Sequence, residues 1–280
     1  MARFGVIADV HGNLHALEAA LAFLSTQDVD RYLCAGDLVG YGPHPNECVR
    51  RVLALPGVCV AGNHDLIALG RLSDERCIPL ARNSLRWTRS VLEDDARERL
   101  AALPLTATAH GVVLHHGAPG DAQRYVVSDA EAFAALDDVG RVAPAARILV
   151  LGHTHRPMAI GRRRGSLLRG GTGLVRLEPD EPILLNPGAV GQSRSRDSRA
   201  RVLVLDLGQR VASFHALTYD LQGCRQALRE RALPPDSCHV PRSRISDVVG
   251  ALRRRLAGRH PAARFSRESS AIGAGAMLRQ

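Results

Sequence analysis

Five short clusters along the chain carry groups that ligate metals: Asp9-Val10-His11, Gly36-Asp37, Gly62-Asn63-His64-Asp65, His115-His116-Gly117 and Gly152-His153-Thr154-His155, each following a short apolar run. Carboxylate, amide and imidazole in that order are the groups a two-metal hydrolase requires. Two divalent cations about 3.5–4 Å apart clamp a phosphate and bring the pKa of a water held between them toward neutrality. Ions so close need a ligand that reaches both, and an anionic carboxylate does so while offsetting their repulsion. Imidazoles at the outer positions favour borderline transition metals (Mn, Fe, Zn or Ni) over Mg or Ca, whose cages are nearly all oxygen. In a D-x-H at an extended strand end the two side chains point the same way, so Asp9 and His11 can face one ion; His153 and His155 repeat the spacing. Asp9, Asp37, Asn63 or His153 taken singly could be a strand-end turn residue or a helix cap. Five clusters in sequence argue against that reading.

Elements must bring these clusters together. The apolar, β-branched-rich runs 4–8, 32–35, 58–61, 112–115 and 148–151 each end in Gly, Asp or His and predict buried strands whose C-terminal ends deliver the ligands. Helical spacing of Leu14, Leu17, Ala20, Leu21 and Leu24, then of Val49, Val52 and Leu53, separates the first three. Strand and helix in alternation predict βαβ units and a partly parallel sheet, where sites gather at strand C-termini. A helix is expected over 80–102, burying Trp87, Val91 and Leu100, and another over 129–136 with an Asp or Ser cap. Beyond Gly152, strands at 183–185, 202–207 and 211–217, with partial alternation in 201–206 and 211–215, predict a second sheet with one covered face. A helix over 221–233 is stopped by Pro234-Pro235.

The set Asp9-x-His11, Gly36-Asp37, Gly62-Asn63-His64-Asp65, His116-Gly117 and Gly152-His153-x-His155 resembles the calcineurin-like metallophosphoesterase superfamily. Asn186-Pro187-Gly188-Ala189-Val190-Gly191, with Gly40-Tyr41-Gly42-Pro43 and Pro45-Asn46-Glu47, is similar to its bacterial small-phosphodiesterase branch, the diadenosine tetraphosphatase-related proteins. The resemblance spans roughly residues 1–215. It implies an α/β fold of two mixed sheets packed face to face with helices on both outer sides. It further implies one metal at Asp9, His11 and His155, a second at Asn63, His116 and His153, and Asp37 between them. His64 matches the family histidine beside the metals that serves as general acid or steadies the transferring phosphoryl group. His116 is taken over His115 because the family ligand directly precedes the glycine and neighbouring strand residues face opposite ways. In the Ser/Thr protein phosphatases an aspartate and an arginine follow the bridging aspartate; here Gly40 and Tyr41 stand there, so His64 needs another partner, Asp65 or a backbone carbonyl. The Asn186 loop is expected to line the cleft, and Arg194 and Arg196 to grip a distal phosphate, since guanidinium groups bind phosphate bidentately.

Composition narrows the setting. All 37 basic residues are arginine, which removes lysine-dependent chemistry. The net charge of +9 sits mostly in residues 241–280, where nine arginines face Asp247 and Glu268 and supply +7. The body is near neutral and is not a nucleic-acid surface by composition; a nucleic acid is a partner only through that basic tail. Six scattered cysteines with no C-x-x-C argue against a disulfide framework and for a reducing compartment. With no signal segment and no apolar run long enough to span a bilayer, a cytoplasmic protein without membrane partners is expected. The expected organisation is a catalytic domain over 1–233 and an Arg-rich, largely disordered tail over 234–280.

These readings converge on a two-metal phosphoric ester hydrolase, with manganese the expected ion. The expected reaction is in-line attack of a metal-bridging hydroxide on a small or nucleotide-type phosphodiester. A phosphomonoesterase or protein-serine phosphatase, a dinucleoside-polyphosphate hydrolase, a nuclease and a non-catalytic metal-binding scaffold are the alternatives.

Overall fold

The computed structural model of the protein describes residues 2–239. Along them run β1 (Arg3–Ile7), α1 (Leu14–Leu24), β2 (Arg31–Cys34), α2 (Pro45–Leu53), β3 (Gly57–Cys59), α3 (Asn63–Ala68), α4 (Pro79–Val91), α5 (Asp94–Ala101), β4 (Ala107–Ala109), β5 (Val112–Leu114), α6 (Asp129–Val142), β6 (Ile148–Val150), β7 (Met158–Gly161), β8 (Gly165–Arg169), β9 (Gly173–Arg176), β10 (Ile183–Asn186), β11 (Ala200–Asp206), β12 (Val211–Leu217) and α7 (Leu221–Glu230). The strands form two mixed six-stranded sheets, ordered β3-β2-β1-β11-β12-β9 and β4-β5-β6-β10-β7-β8. Each has a parallel core, β1-β2-β3 in one and β5-β6-β10 in the other. The expected sandwich of two sheets between helices is the fold observed.

Side-chain alternation along the strands builds the layers. Phe4 and Val6 of β1, Val112 and Leu114 of β5, Ile183 and Leu185 of β10, and Leu203 and Leu205 of β11 meet in one cluster between the sheets. The intervening residues face outward: Ile7, Val202 and Val204 toward Leu17, Leu21 and Leu24 of α1, and Val113, Leu149 and Leu184 toward Ala132, Leu136 and Val139 of α6. A period of two feeds both faces because both are covered. The helices start where polar side chains take the free amides: Asn13 Oδ1 accepts from Ala16 N, and Ser128 with Glu131 forms a capping box at α6.

Several expectations are corrected. The helix over 80–102 is two helices, because Asn46 donates to Val91 O and accepts from Glu93 N, capturing the groups that would have continued the ladder. Leu92 between them is extended and buried, whereas Trp87 and Val91 are only partly covered and Leu100 is fully buried. β11 and β12 belong to the first sheet: β11 pairs antiparallel with β1, and being central it is buried on both faces, so only β12 alternates. The short strands β4, β7, β8 and β9 and the helix α3 carry too few residues for a periodic signal. α6 runs past 136 to Val142, and α7 ends at Glu230.

Residues 234–239 do not leave the body at 233. Ser237 donates to Tyr41 O, Gln192 donates to Ser237 O, and Ser193 N donates to Cys238 O. The rest of the expected tail, 240–280, lies outside the described residues. No described helix is long and apolar enough to cross a membrane.

Candidate metal centre

Each expected ligand follows the C-terminal end of a strand in a parallel core: Asp9 and His11 after β1, Asp37 after β2, Asn63 after β3, His116 after β5, His153 and His155 after β6. Five of the seven have backbone in the left-handed region: Asp9 (φ 54°), His11 (50°), Asp37 (56°), His153 (65°) and His155 (58°). That conformation is uncommon for non-glycine residues and persists where surrounding structure enforces it, often at functional sites. Enforcement is visible in the turn hydrogen bonds Asp9 N to Gly36 O and His11 N to Asp37 O, which cross-link the first two ligand loops. At Gly62 an added Cβ would lie 2.1 Å from Asp37 Oδ1, so only glycine lets that loop close on the carboxylate.

The ligand atoms converge in three overlapping buried groups, Asp9–His11–His155, His11–Asp37–His64 and Asp37–His116–His153, within each of which all atoms lie within 4.8 Å. Asp9 Oδ1 is 3.4 Å from His155 Nε2. Asp37 Oδ2 stands 3.6 Å from His11 Nε2 and 3.2 Å from His116 Nε2, which places it between the two expected ligand sets. Asn63 Oδ1 lies 3.0 Å from His116 Nε2.

Four of the imidazoles are held by backbone carbonyls. His11 Nδ1 donates to Val39 O (3.0 Å), His116 Nδ1 to Ala35 O (2.7 Å), His155 Nδ1 to Gln192 O (2.6 Å) and His153 Nε2 to Gln123 O (3.1 Å). A carbonyl only accepts, so each of those nitrogens carries a proton, and in the neutral ring the opposite nitrogen presents a lone pair inward. Two inward atoms then meet acceptor to acceptor, His11 Nε2 and His155 Nε2 at 3.1 Å, and His116 Nε2 lies 3.0 Å from Asn63 Oδ1. A cation satisfies both sides of such a contact. Asp9 Oδ2 is also buried with no hydrogen-bond partner among the described residues. The donor set therefore fits a pair of divalent ions of the borderline class.

Electrostatics agree. Burial lowers the pKa of His11 and His155 and takes His153 down to about 3, so these rings are neutral, the form that ligates. Burial raises Asp9 to about 7. Burial also works against the Asp37 carboxylate, but His116, His64 and His11 outweigh it and hold the group low. At His116 the cost of burial is overcome by Asp37 and Asp9, which carry it up to about 9; the carboxylates that attract a metal ion also attract a proton.

His64 is positioned differently from the expectation. Asp65 is not its partner: Asp65 Oδ1 accepts from Leu38 N and Val39 N and Oδ2 from Gly62 N, tying the Asp37 turn to α3. His64 Nδ1 has no hydrogen-bond partner among the described residues. The ring is held by packing, stacked on Tyr41 (centroids 4.9 Å, 29°) and set edgewise to His11 (4.7 Å, 70°). A Cβ at Gly40 would fall 2.4 Å from His64 Nδ1, so the glycine where the protein phosphatases carry an aspartate makes room for the ring. The His64 amide donates to Asp37 Oδ1 (2.8 Å). His116 faces the cluster, and His115 pairs with Thr106 away from it.

Of the expected substrate contacts, Asn186 is fully buried; it donates to Gly152 O and Thr154 Oγ1 and accepts from Gly188 N. These bonds tie it to the His153–His155 loop. Arg194 lies beside the centre, donating to Gln192 Oε1, Tyr125 Oη and His153 O. Arg196 is exposed and makes no side-chain hydrogen bond or ion pair among the described residues. Tyr125, stacked on His153 (centroids 4.0 Å, 19°), and Gln192 were not legible beforehand, since neither belongs to a motif with a metal-binding residue type.

Known proteins resemble this chain in sequence and fold. Residues 2–180 match the calcineurin-like phosphoesterase family. An uncharacterized protein of Methanocaldococcus jannaschii is 30% identical over 235 residues, covering 82% of this chain and 93% of that one. The crystal structure of a metallophosphoesterase from Sphaerobacter thermophilus superimposes with a TM-score of 0.71 at 30% identity, covering 85% of this chain and 96% of that one. A hypothetical protein from Pyrococcus horikoshii shares the fold, with a TM-score of 0.68 at 17% identity over 85% of this chain and 96% of that one. Sequence, sandwich and buried His/Asp clusters thus lead to one conclusion: the chain belongs to the calcineurin-like metallophosphoesterases.

Proposed function

We propose that this metal-dependent phosphoesterase is a phosphodiesterase for a small or nucleotide-type substrate, working with two divalent ions, manganese foremost. The observation that carries the two-metal reading is the inward convergence of four carbonyl-locked imidazoles on Asp9 and Asp37. Asp9, His11 and His155 would hold one ion, Asn63, His116 and His153 the other, and Asp37 both. Bound there, the ions would neutralise phosphate oxygens and acidify a water.

The protein's own groups supply the remainder. Burial takes the His64 pKa down to about 4, so its ring is neutral until an anion faces it. A phosphate brought against that ring provides the counter-charge an imidazolium needs, which links substrate arrival to a proton ready for the leaving oxygen. The stacked Tyr41 and the Gly40 backbone hold the ring for that transfer. Tyr41 is buried where the protein phosphatases carry their phosphate-gripping arginine, which favours a small diester over a phosphoprotein.

The test is hydrolysis of bis(p-nitrophenyl) phosphate beside p-nitrophenyl phosphate by manganese-loaded wild type and His64→Ala. Diester preference is expected, with a loss of about 10²–10⁴-fold in kcat for the variant. Monoester preference overturns the diester assignment; no turnover of either ester with metal fully bound overturns the catalytic one.

A further inference from the structure

Arg194 and Tyr125 form a unit that the metal cluster does not require. The Arg194 guanidinium is anchored from two sides, Nε to Gln192 Oε1 (3.1 Å) and Nη1 to Tyr125 Oη (3.0 Å), with His153 O at 3.5 Å. No carboxylate pairs with it among the described residues, and Nη2 makes no hydrogen bond there. Its anchors reach into the centre: Gln192 O holds His155 Nδ1, and the Tyr125 ring lies flat on His153. Burial is the largest influence on Asp9, His11, His64, His153 and His155, and the Arg194 charge acts on every one of them.

Burial works against the Arg194 charge while Tyr125, Tyr41 and Asp9 support it, so the guanidinium stays charged with no carboxylate bonded to it among the described residues and can receive an anion. The two hydrogens that remain free, both on Nη2, can donate to the oxygens of a tetrahedral oxyanion. Tyr125 is 41% exposed despite its stacking, so this side of the centre opens to solvent and a ligand can reach it.

We propose that Arg194, held in place by Tyr125, grips the phosphoryl oxygens of the substrate at the mouth of the metal centre. Arg194 is the binding residue and Tyr125 its positioning residue. The proposal deepens the phosphoesterase reading and rests on it for the identity of the anion.

Inorganic phosphate is the probe. Its dissociation constant is measured by titration calorimetry on manganese-loaded wild type, Arg194→Ala, Arg194→Lys and Tyr125→Phe, with metal content and melting temperature recorded for each. A charged hydrogen bond of typical strength corresponds to about ten- to a hundredfold weaker phosphate binding in Arg194→Ala. Arg194→Lys should recover part of it, and Tyr125→Phe, which keeps the ring on His153 and loses only the hydroxyl, should fall between wild type and Arg194→Ala. In turnover the same variants should raise KM more than they lower kcat. Unchanged phosphate affinity in Arg194→Ala overturns the proposal, and so does a loss that tracks loss of bound metal, which would make the residue structural. Phosphate binding that depends on Arg194 in a protein that cleaves no ester would instead overturn the catalytic reading and leave this one standing.

Discussion

At the scale of single residues, the centre is a set of buried ionisable groups whose protonation differs between the folded and unfolded chain. His116, drawn up to about 9, and Asp9 and Asp65, raised to about 7 chiefly by burial, keep protons that the unfolded chain has already released. Stability from these groups is therefore lost as pH rises through their folded values. His11, His64, His153 and His155 act in the opposite sense: their lowered pKa values mean that the unfolded chain takes up protons below its own histidine range while the folded one does not. The metal-free protein should accordingly be most stable near pH 6.5, losing stability toward pH 9 and also toward acid. Loading with manganese should remove the alkaline limb, because binding displaces those protons from the expected ligands. Thermal melts from pH 5.5 to 9 of chelated and reloaded protein check this; a flat alkaline limb without metal would contradict it.

Elements set the angles at which those residues meet. Asn46, at the second position of α2, joins that helix to the break between α4 and α5 through Val91 O, Glu93 N and the Glu93 carboxylate. Replacing it with Ala leaves a part-buried carbonyl and amide without this partner, at a cost of about 1–3 kcal/mol. The expected result is a melting temperature lower by roughly 2–10 °C in a chain of this size, with kcat little changed. A large fall in kcat at intact stability would show instead that α2 controls the neighbouring Tyr41 loop. The short helix α3 serves the site more directly, since its first turn presents Asn63 and His64 while Asp65 closes the Asp37 turn behind them.

For the whole described molecule, the centre exists because two sheets are pressed together. Asp9, His11, Asp37 and Asn63 come from the first sheet and His116, His153 and His155 from the second. Cross-sheet bonds such as His153 N to Asp9 Oδ1 and His116 Nδ1 to Ala35 O span the join. Leu203, fully buried between the sheets, tests the coupling from a distance. Leu203→Ala should cost about 2–5 kcal/mol of stability. It should also weaken manganese binding, measured by competition with a chelator, although the residue touches no ligand. Unchanged metal affinity would mean that the loops hold their geometry without the core beneath them.

Residue type and order along the chain were enough to indicate the metal chemistry, the strands that carry the ligands and the fold class. A ligand must be a particular atom at the end of a particular strand, and the alternation of buried strands is local. Register, sheet membership and the partners of His64 were not local. β11 and β12 joined the first sheet because β1 offered a free antiparallel edge, which no periodicity encodes. Asp65 turned to three backbone amides, and Asn186 was drawn under the His153 loop, because the three-dimensional neighbourhood left those amides and carbonyls in need of partners. Tyr125 and Arg194, 69 residues apart, became one unit only when the folded chain set them on the same side of the centre, since a hydrogen bond over that separation is decided by packing and not by spacing.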